Sequence, residues 1–147
     1  MSQHSLVFTN LYATGNRTVR GLEALTLCIP PTAGESIVKR KDNKNKFTTG
    51  SVFKSKGYNV KYLYGGYSYF DNMKDFFGGN GYEIVDRDNF KPEEIVFANI
   101  WGVSDEDMAK KAIETMNEDA KKGKPFFHHW MTVSNHRPFT YPEGRID

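Results

Sequence analysis

The stretch SDEDMAKKAIETMNEDAKKGKPFFHHWMTV, residues 104–133, combines an amphipathic helix with an apolar strand. Ser104 and Asp107 form a pattern that is typical of a capped helix start. Gly123 and Pro125 predict where the helix ends. The apolar stripe of this helix consists of Met108, Ala112, Met116 and Ala120. The aromatic-rich segment that follows predicts a strand buried on both faces, which is typical of a parallel sheet.

Helices and strands alternate along the rest of the chain as well. Aliphatic and aromatic content predicts strands, and apolar periodicity with glycine and proline stop signals predicts helices. The further predicted strands are residues 5–13, 58–64 and 82–86, and the further predicted helices are residues 19–29, 48–57 and 69–77. This alternation predicts one α/β domain over residues 1–147, with a largely parallel sheet and helices on both faces.

Composition excludes several classes of protein. The net charge of +2 is small for a surface that coats a polyanion, which argues against a nucleic-acid partner. Cys28 is the single cysteine, so an internal disulfide and a cysteine-based metal cluster are excluded. No apolar run approaches the roughly 18 residues that span a bilayer, and no signal peptide is visible, so we expect a soluble chain. The basic segment 38–46, VKRKDNKNK, predicts a solvated loop, with contact to an anionic surface or substrate as the alternative.

Three polar segments follow predicted strands. They are residues 13–18 (ATGNRT), 64–72 (YGGYSYFDN) and 134–139 (SNHRPF). In open α/β sheets, ligands bind beyond the carboxyl ends of the strands. We therefore expect these three segments to meet at one functional site.

Thr18 lies where the first of these segments leads into a helix. A threonine hydroxyl is a poor nucleophile and needs a base or a metal to activate it, and the sequence around Thr18 has no pattern of a hydrolase triad. Activation by a metal is therefore the simpler route. The free N–H groups of a helix start attract anions, and Arg17 and Arg20 could add donors for a phosphate or sulfate. The alternative is that Thr18 only caps the helix.

The segment TVSNHRPFTYP, residues 132–142, places His136 and Asn135 in a polar loop after the last predicted strand. An imidazole and a carboxamide can both donate hydrogen bonds to phosphoryl or hydroxyl oxygens. A surface turn fixed by Pro138 and Pro142 is an equal alternative. His128 and His129 lie within the strand, where neighbouring side chains point to opposite faces, so we expect two packed core histidines.

Asp71 and Asn72 follow a pair of glycines, Gly65 and Gly66, and several aromatic residues. The glycines give the backbone conformational freedom, and the two short polar side chains could bind the hydroxyls of a sugar or of glycerol. An aromatic edge of the core, with Asp71 as a helix cap, is the alternative. Trp101 could form a pocket wall, although core packing is the simpler expectation for it.

Together, several segments resemble the catalytic domain of the lipoteichoic acid synthase and phosphoglycerol transferase group, in the alkaline phosphatase and sulfatase superfamily. They occur in order along nearly the whole chain. The segments are NLYATGNRTVRGLEAL (10–25), YGGYSYFDNMKDFFGGNGYEIVDR (64–87), WGVSDED (101–107) and FFHHWMTVSNHRPFTYP (126–142).

The resemblance implies a fold, a reaction and two site residues. The fold is the α/β sandwich of the superfamily. Thr18 matches the threonine nucleophile that also ligates a divalent metal, which would be Mn, Mg or Zn, and His136 matches the substrate-binding histidine. The group transfers glycerol phosphate from a phospholipid head group to an acceptor through a phosphothreonine intermediate. The resemblance also implies an extracytoplasmic domain of a membrane-anchored parent.

The chain departs from the group in two respects. Lipoteichoic acid synthases carry Trp-Asn-Arg where this chain has Asp71, Asn72 and Met73, so the arginine that grips the phosphoglycerol is missing. The group's other metal ligands lie on segments that precede and follow this stretch. We therefore expect a central fragment of the catalytic domain, with an incomplete sheet, weak metal binding, no activity of its own and a tendency to self-associate.

Two alternatives remain open at this stage. One is a sulfatase or phosphodiesterase on the same fold, although TVRG (18–21) lacks the proline of the usual sulfatase pattern. The other is a non-catalytic domain whose loops bind a lipid head group or a glycan.

Overall fold

The computed structural model describes residues 4–145, which form a parallel sheet flanked by helices. The helices are α1 (Thr18–Leu27), α2 (Thr49–Ser55), α3 (Met73–Gly79) and α4 (Asp105–Lys121). The strands are β1 (Asn59–Tyr64), β2 (Glu83–Val85), β3 (Ala98–Asn99), β4 (Gly102–Val103) and β5 (Phe126–Met131). Short 3-10 turns lie at Ile37–Lys39, Phe70–Asn72, Arg87–Asn89 and Pro92–Glu94.

The sheet has the order β2-β1-β5, and both outer strands run parallel to β1. Tyr62 at the centre of β1 is in register with Ile84 on one side and with His129 on the other. Because all three strands point the same way, their carboxyl ends meet at one edge of the sheet. The α/β class and the parallel sheet predicted from the sequence are confirmed.

Helices pack on both faces of the sheet, as predicted. On one face, residues of α1, α2 and α3 pack on Val60, Tyr62 and Tyr64 of β1, and Tyr62 stacks on Phe77 with ring centroids 3.7 Å apart. On the other face, Met108 and Ala112 of α4 pack against Leu63. Because successive side chains of a strand point to opposite faces of the sheet, the core is divided into two apolar layers.

The two strand histidines lie on opposite faces, as predicted from alternation. His129 packs against the rings of Tyr62 and Phe77, and burial lowers the pKa of its imidazole. His128 lies on the α4 face, where its Nε2 is 3.0 Å from Oδ2 of Asp119. Both are core residues, and neither lies at the carboxyl edge.

Two predicted strands differ from the structure. Residues 5–13 form no strand, and Leu6, Phe8, Leu11 and Tyr12 among them are 69–86% exposed. Strand-like composition does not make a strand without a hydrogen-bonded neighbour. The strand β5 does form, but its residues are half-buried or, at Phe126, exposed, because within residues 4–145 only one of its edges is paired.

Two further details of the sequence prediction are corrected. Helical spacing predicts an apolar stripe of Val19, Leu22, Leu25 and Ile29 in the predicted helix 19–29. The buried face of α1 instead consists of Val19, Leu22, Glu23 and Thr26, and Leu25 is 68% exposed. The basic segment 38–46 is not a solvated loop throughout, because Val38 and Asn43 are buried. The amide of Asn43 donates to the carbonyl of Val38 at 2.7 Å, which closes the segment on itself.

Candidate functional site

A cavity of about 50 Å³ opens beyond the carboxyl ends of β1 and β5. It brings together Thr18, Asp71 and His136, one residue from each of the three polar segments. The other residues that line it are Tyr64, Phe70, Met73, Trp101, Met131, Thr132 and Val133. The location is the one expected for a ligand site in a parallel α/β sheet.

Thr18 is the first residue of α1 and is exposed to solvent. The cap position is occupied by Arg17, which has extended backbone angles, and no side chain caps the helix there. The interpretation of Thr18 as a mere helix cap is therefore wrong. Its side chain lies at the positive end of the helix, where the first N–H groups have no partner within the helix.

Of the two arginines beside Thr18, Arg20 has a structural role. Its guanidinium donates to Oε2 of Glu23 at 3.1 Å, to the carbonyl of Thr32 at 3.0 Å and to the carbonyl of Gly34. These contacts tie α1 to the following loop and leave the guanidinium away from the cavity lining. The structure therefore does not support the predicted role of Arg20 in binding substrate. Arg17 is exposed and also lies outside the lining.

His136 is held by an aromatic neighbour and by one carbonyl. Its ring packs against Trp101 at a tilt of 37°, with centroids 3.9 Å apart, and its Nδ1 lies 2.8 Å from the carbonyl of Arg137. A carbonyl oxygen only accepts, so Nδ1 carries the proton of this bond and Nε2 remains for a ligand. The indole N–H of Trp101 donates to the same carbonyl at 2.7 Å.

Trp101 is half-buried: it packs against the core layer, as expected, and also forms a wall of the cavity. Its position depends on glycines at the end of β1. A side chain at Gly66 would collide with the Trp101 carbonyl, and one at Gly102 would collide with the backbone of Gly65. Gly65 and Gly66 are thus needed because other backbone segments approach them closely. The conformational freedom expected from the sequence is not their role.

Asp71 lines the cavity, whereas Asn72 and Asn135 lie outside the lining. Asp71 and Asn72 both have left-handed backbone angles, with φ of 53° and 58°. Oδ1 of Asp71 is 2.9 Å from the ammonium of Lys39, and the amide of Asn72 donates to the Lys39 carbonyl at 2.6 Å. Sequence reasoning missed Lys39. The signal that could have found it was the basic segment to which it belongs.

The turn that carries these residues is anchored by a buried carboxylate. Asp86 accepts from the backbone N–H of Ser68 at 3.1 Å and also from the Ser68 hydroxyl. Both residues are 2% exposed or less. This buried contact fixes the loop after β1 and holds its aromatic and polar residues at the edge of the cavity.

The residues that the structure describes do not complete a metal site. Among them, no group of three His, Cys, Asp or Glu side chains is placed to hold a metal ion. A structural zinc site takes about four ligands and a catalytic one about three from the protein. The hydroxyl of Thr18 with Asp71 nearby falls short of that number.

We expect the 147-residue chain to bind Mn²⁺ or Zn²⁺ only weakly, because so few ligands are available. Isothermal titration calorimetry of the chain should show no stoichiometric site tighter than about 10 µM. A sub-micromolar site with one ion per chain would contradict this expectation. In that case Thr18→Ala and Asp71→Asn would show whether the ion lies in the cavity.

The parallel α/β fold matches that of a protein in the alkaline phosphatase superfamily. A family model described as Sulfatase matches residues 1–145. The chain therefore belongs to the sulfatase family.

Two solved structures are similar to the chain. A protein in the alkaline phosphatase superfamily from Vibrio parahaemolyticus is 46% identical, with a TM-score of 0.88 over 95% of this chain and 34% of that one. The lipoteichoic acid synthase LtaP from Listeria monocytogenes is 19% identical, with a TM-score of 0.77 over 88% of this chain and 31% of that one. The second likeness concerns the fold alone. The superfamily resemblance drawn from the sequence is confirmed.

The chain spans about a third of the length of each of these two proteins. Within residues 4–145, no helix is both long enough and apolar enough to cross a membrane.

Proposed function

We propose that the chain is the nucleophile-bearing part of a metal-dependent phosphotransferase that acts on lipid head-group phosphodiesters through a phosphothreonine intermediate. The observation that supports this most is the cavity in which Thr18, exposed at the start of α1, meets His136 and Asp71. The whole protein would be an extracytoplasmic, membrane-anchored enzyme.

In the proposed reaction, Oγ1 of Thr18 forms a bond to the phosphorus of the head group. The bond from phosphorus to the lipid alcohol breaks, and that alcohol leaves with the electron pair and takes up the proton that Thr18 gives up. An acceptor hydroxyl then bonds to the same phosphorus, the bond from phosphorus to Oγ1 of Thr18 breaks, and Oγ1 leaves with the electron pair and takes up the acceptor's proton. His136 would bind the transferred group through Nε2, because its Nδ1 is committed to Arg137.

The proposed metal dependence would rest on ligands from outside this chain, because the described residues do not complete a site. A divalent metal bound to a hydroxyl lowers its pKa and makes it a nucleophile near neutral pH. The 147-residue chain on its own should therefore be inactive. Exposed apolar side chains, such as Leu6, Phe8 and Leu11, would favour its self-association.

A sulfate ester is a second candidate substrate, because the matching family model is the sulfatase model. Phosphate and sulfate esters present similar tetrahedral oxyanions to the same donors. The covalent product on Thr18 distinguishes the two. Sulfothreonine would identify a sulfatase, and glycerophosphothreonine would identify the transferase.

The test is covalent capture at Thr18. The longer protein that contains this chain would be mixed with phosphatidylglycerol or an aryl sulfate and Mn²⁺, quenched in acid, and analysed by peptide mass spectrometry. We expect glycerophosphate on Thr18 and none on Thr14, the neighbouring threonine of the same segment. Capture on another residue would contradict the role of Thr18. Binding of phosphatidylglycerol without any capture would instead identify a non-catalytic binding domain.

A further inference from the structure

A lysine from the basic segment 38–46 does not line the cavity itself but contacts a residue that does. The ammonium of Lys39 is 2.9 Å from Oδ1 of Asp71, and the side chain of Asp71 lines the cavity with Thr18 and His136. The side chain of Lys39 is 40% exposed, so its ammonium is accessible from solvent next to Asp71. An ammonium carries three N–H donors, and the bond to Asp71 uses only one of them.

The backbone of Lys39 is fixed even though its side chain is exposed. The preceding residue, Val38, is fully buried and accepts a hydrogen bond from Asn43. The hydroxyl of Ser36 donates to the carbonyl of Val19 at 3.2 Å, which joins this turn to the helix that begins at Thr18. Lys39 is therefore held at a set distance from the start of α1.

Two residues with strained backbone angles contact Lys39 directly. Asp71 and Asn72 are consecutive non-glycine residues with left-handed φ angles. The carboxylate of Asp71 binds the ammonium of Lys39, and the amide of Asn72 binds its carbonyl. Such strain persists where the surroundings over-determine the backbone, and it clusters at ligand sites.

The charges around Lys39 keep it cationic. The hydrogen bond and the charge of Asp71 raise its pKa, with a smaller contribution from Glu35, while burial and the charge of Arg17 act in the opposite sense.

We propose that Lys39 binds an anionic oxygen of the head group, while Asp71 accepts a hydrogen bond from a hydroxyl of the same head group. This inference rests on the proposed function and names the substrate class of the same cavity, a phosphate or sulfate ester of a polyol. Lys39 gives the selection for negative charge, and Asp71 gives the selection for hydroxyl groups. Lys39 binds and orients the ligand and takes no part in bond making.

The test compares two lysine–aspartate pairs of the same chain. Lys44 pairs with Asp75 at 3.3 Å on the surface, with side chains 50% and 65% exposed, and Asp75, unlike Asp71, does not line the cavity. The 147-residue chain and its variants would be titrated with glycerol 1-phosphate and followed by ¹H–¹⁵N NMR. We expect Lys39→Ala to weaken binding about 10-fold, as loss of a charge-assisted hydrogen bond does, and Lys44→Ala by less than about 2-fold.

Three further titrations separate charge from hydroxyl recognition. Lys39→Arg keeps the cation and should stay within about 3-fold of the wild-type chain. Glycerol, which has no charge, should bind equally to the wild-type chain and to Lys39→Ala. Asp71→Asn should weaken the binding of glycerol 1-phosphate more than the binding of inorganic phosphate, because inorganic phosphate has no hydroxyl-bearing carbon chain.

The proposal would be overturned if Lys39→Ala and Lys44→Ala behaved alike, or if glycerol 1-phosphate bound no more tightly than glycerol. An unchanged pattern of NMR peaks outside the cavity shows that each variant is folded. The titration needs no turnover. Loss of the Lys39 effect therefore refutes this inference alone, whereas failure of covalent capture at Thr18 refutes the transferase proposal alone.

Discussion

Thr18→Ala should lower the turnover of the longer protein by about 1,000-fold or more, which is the scale of losing a catalytic nucleophile. The variant removes the oxygen that would bond to phosphorus, and a water molecule cannot adopt its fixed position at the start of α1. The measurement is the release of lipid alcohol from phosphatidylglycerol under saturating metal. Comparable turnover in the variant and the wild-type protein would remove Thr18 from the reaction.

The structure allows this loss to be separated from misfolding. Thr18 is exposed, and the cap position belongs to Arg17, so Thr18→Ala does not remove a helix cap. We expect its free energy of unfolding to change by less than about 0.5 kcal/mol. Thr14→Ala, in the same exposed segment, is the matched control and should retain turnover. Thr18→Ser keeps a hydroxyl and should retain part of it.

Periodicity along the chain predicted most of the fold because it reports burial directly. The helix α4 begins after Ser104, whose hydroxyl accepts from the backbone N–H of Asp107, as the capping pattern predicts. Its buried residues are Asp107, Met108, Ala112, Thr115 and Asp119, whereas Ala120 of the predicted stripe is exposed. The three polar residues among them are buried because each has a hydrogen-bond partner. Apolar content alone cannot show that.

The strand predicted over residues 5–13 failed for a different reason. Aliphatic and aromatic residues favour an extended backbone, but a strand also requires a neighbour whose N–H and C=O groups complete the ladder. No partner within residues 4–145 pairs with this segment. A sequence pattern shows whether the residues favour an extended backbone, but it does not show whether a neighbouring strand is present.

The candidate site was predictable only as far as chain topology determines it. Parallel strands place the segments after β1 and β5 at one edge, so Asp71 and His136 could be expected near each other. The contacts between individual side chains could not be predicted from the sequence. Arg20 turned to the loop at Thr32, and Lys39 reached Asp71 across 32 positions of sequence. Such contacts depend on loop paths that have no periodic signal.

The largest expected loss of stability concerns a buried charge cluster on the α4 face of the sheet. Oδ2 of Asp119 is 3.2 Å from the ammonium of Lys61 and 3.0 Å from Nε2 of His128, and its Oδ1 accepts from the amide of Asn59 at 2.9 Å. The side chains of Lys61, Asp119 and His128 are 5% exposed or less. Burial alone would raise the pKa of Asp119, but these hydrogen bonds and the charge of Lys61 outweigh it and lower the pKa.

Asp119→Ala should therefore cost about 3–5 kcal/mol of unfolding free energy, because among residues 4–145 it leaves the buried Lys61 with only the exposed Glu83, 3.6 Å away, as an acidic partner. Asp75→Ala removes a surface carboxylate and should change stability by less than about 0.5 kcal/mol. Urea unfolding at pH 7 measures both. A carboxyl with a lowered pKa stabilises the fold above its unfolded value, about 3.9, and loses that effect as the pH falls through the lower folded value. The wild-type chain should thus lose stability below about pH 4 more steeply than Asp119→Ala, and equal slopes would show that Asp119 does not carry this charge.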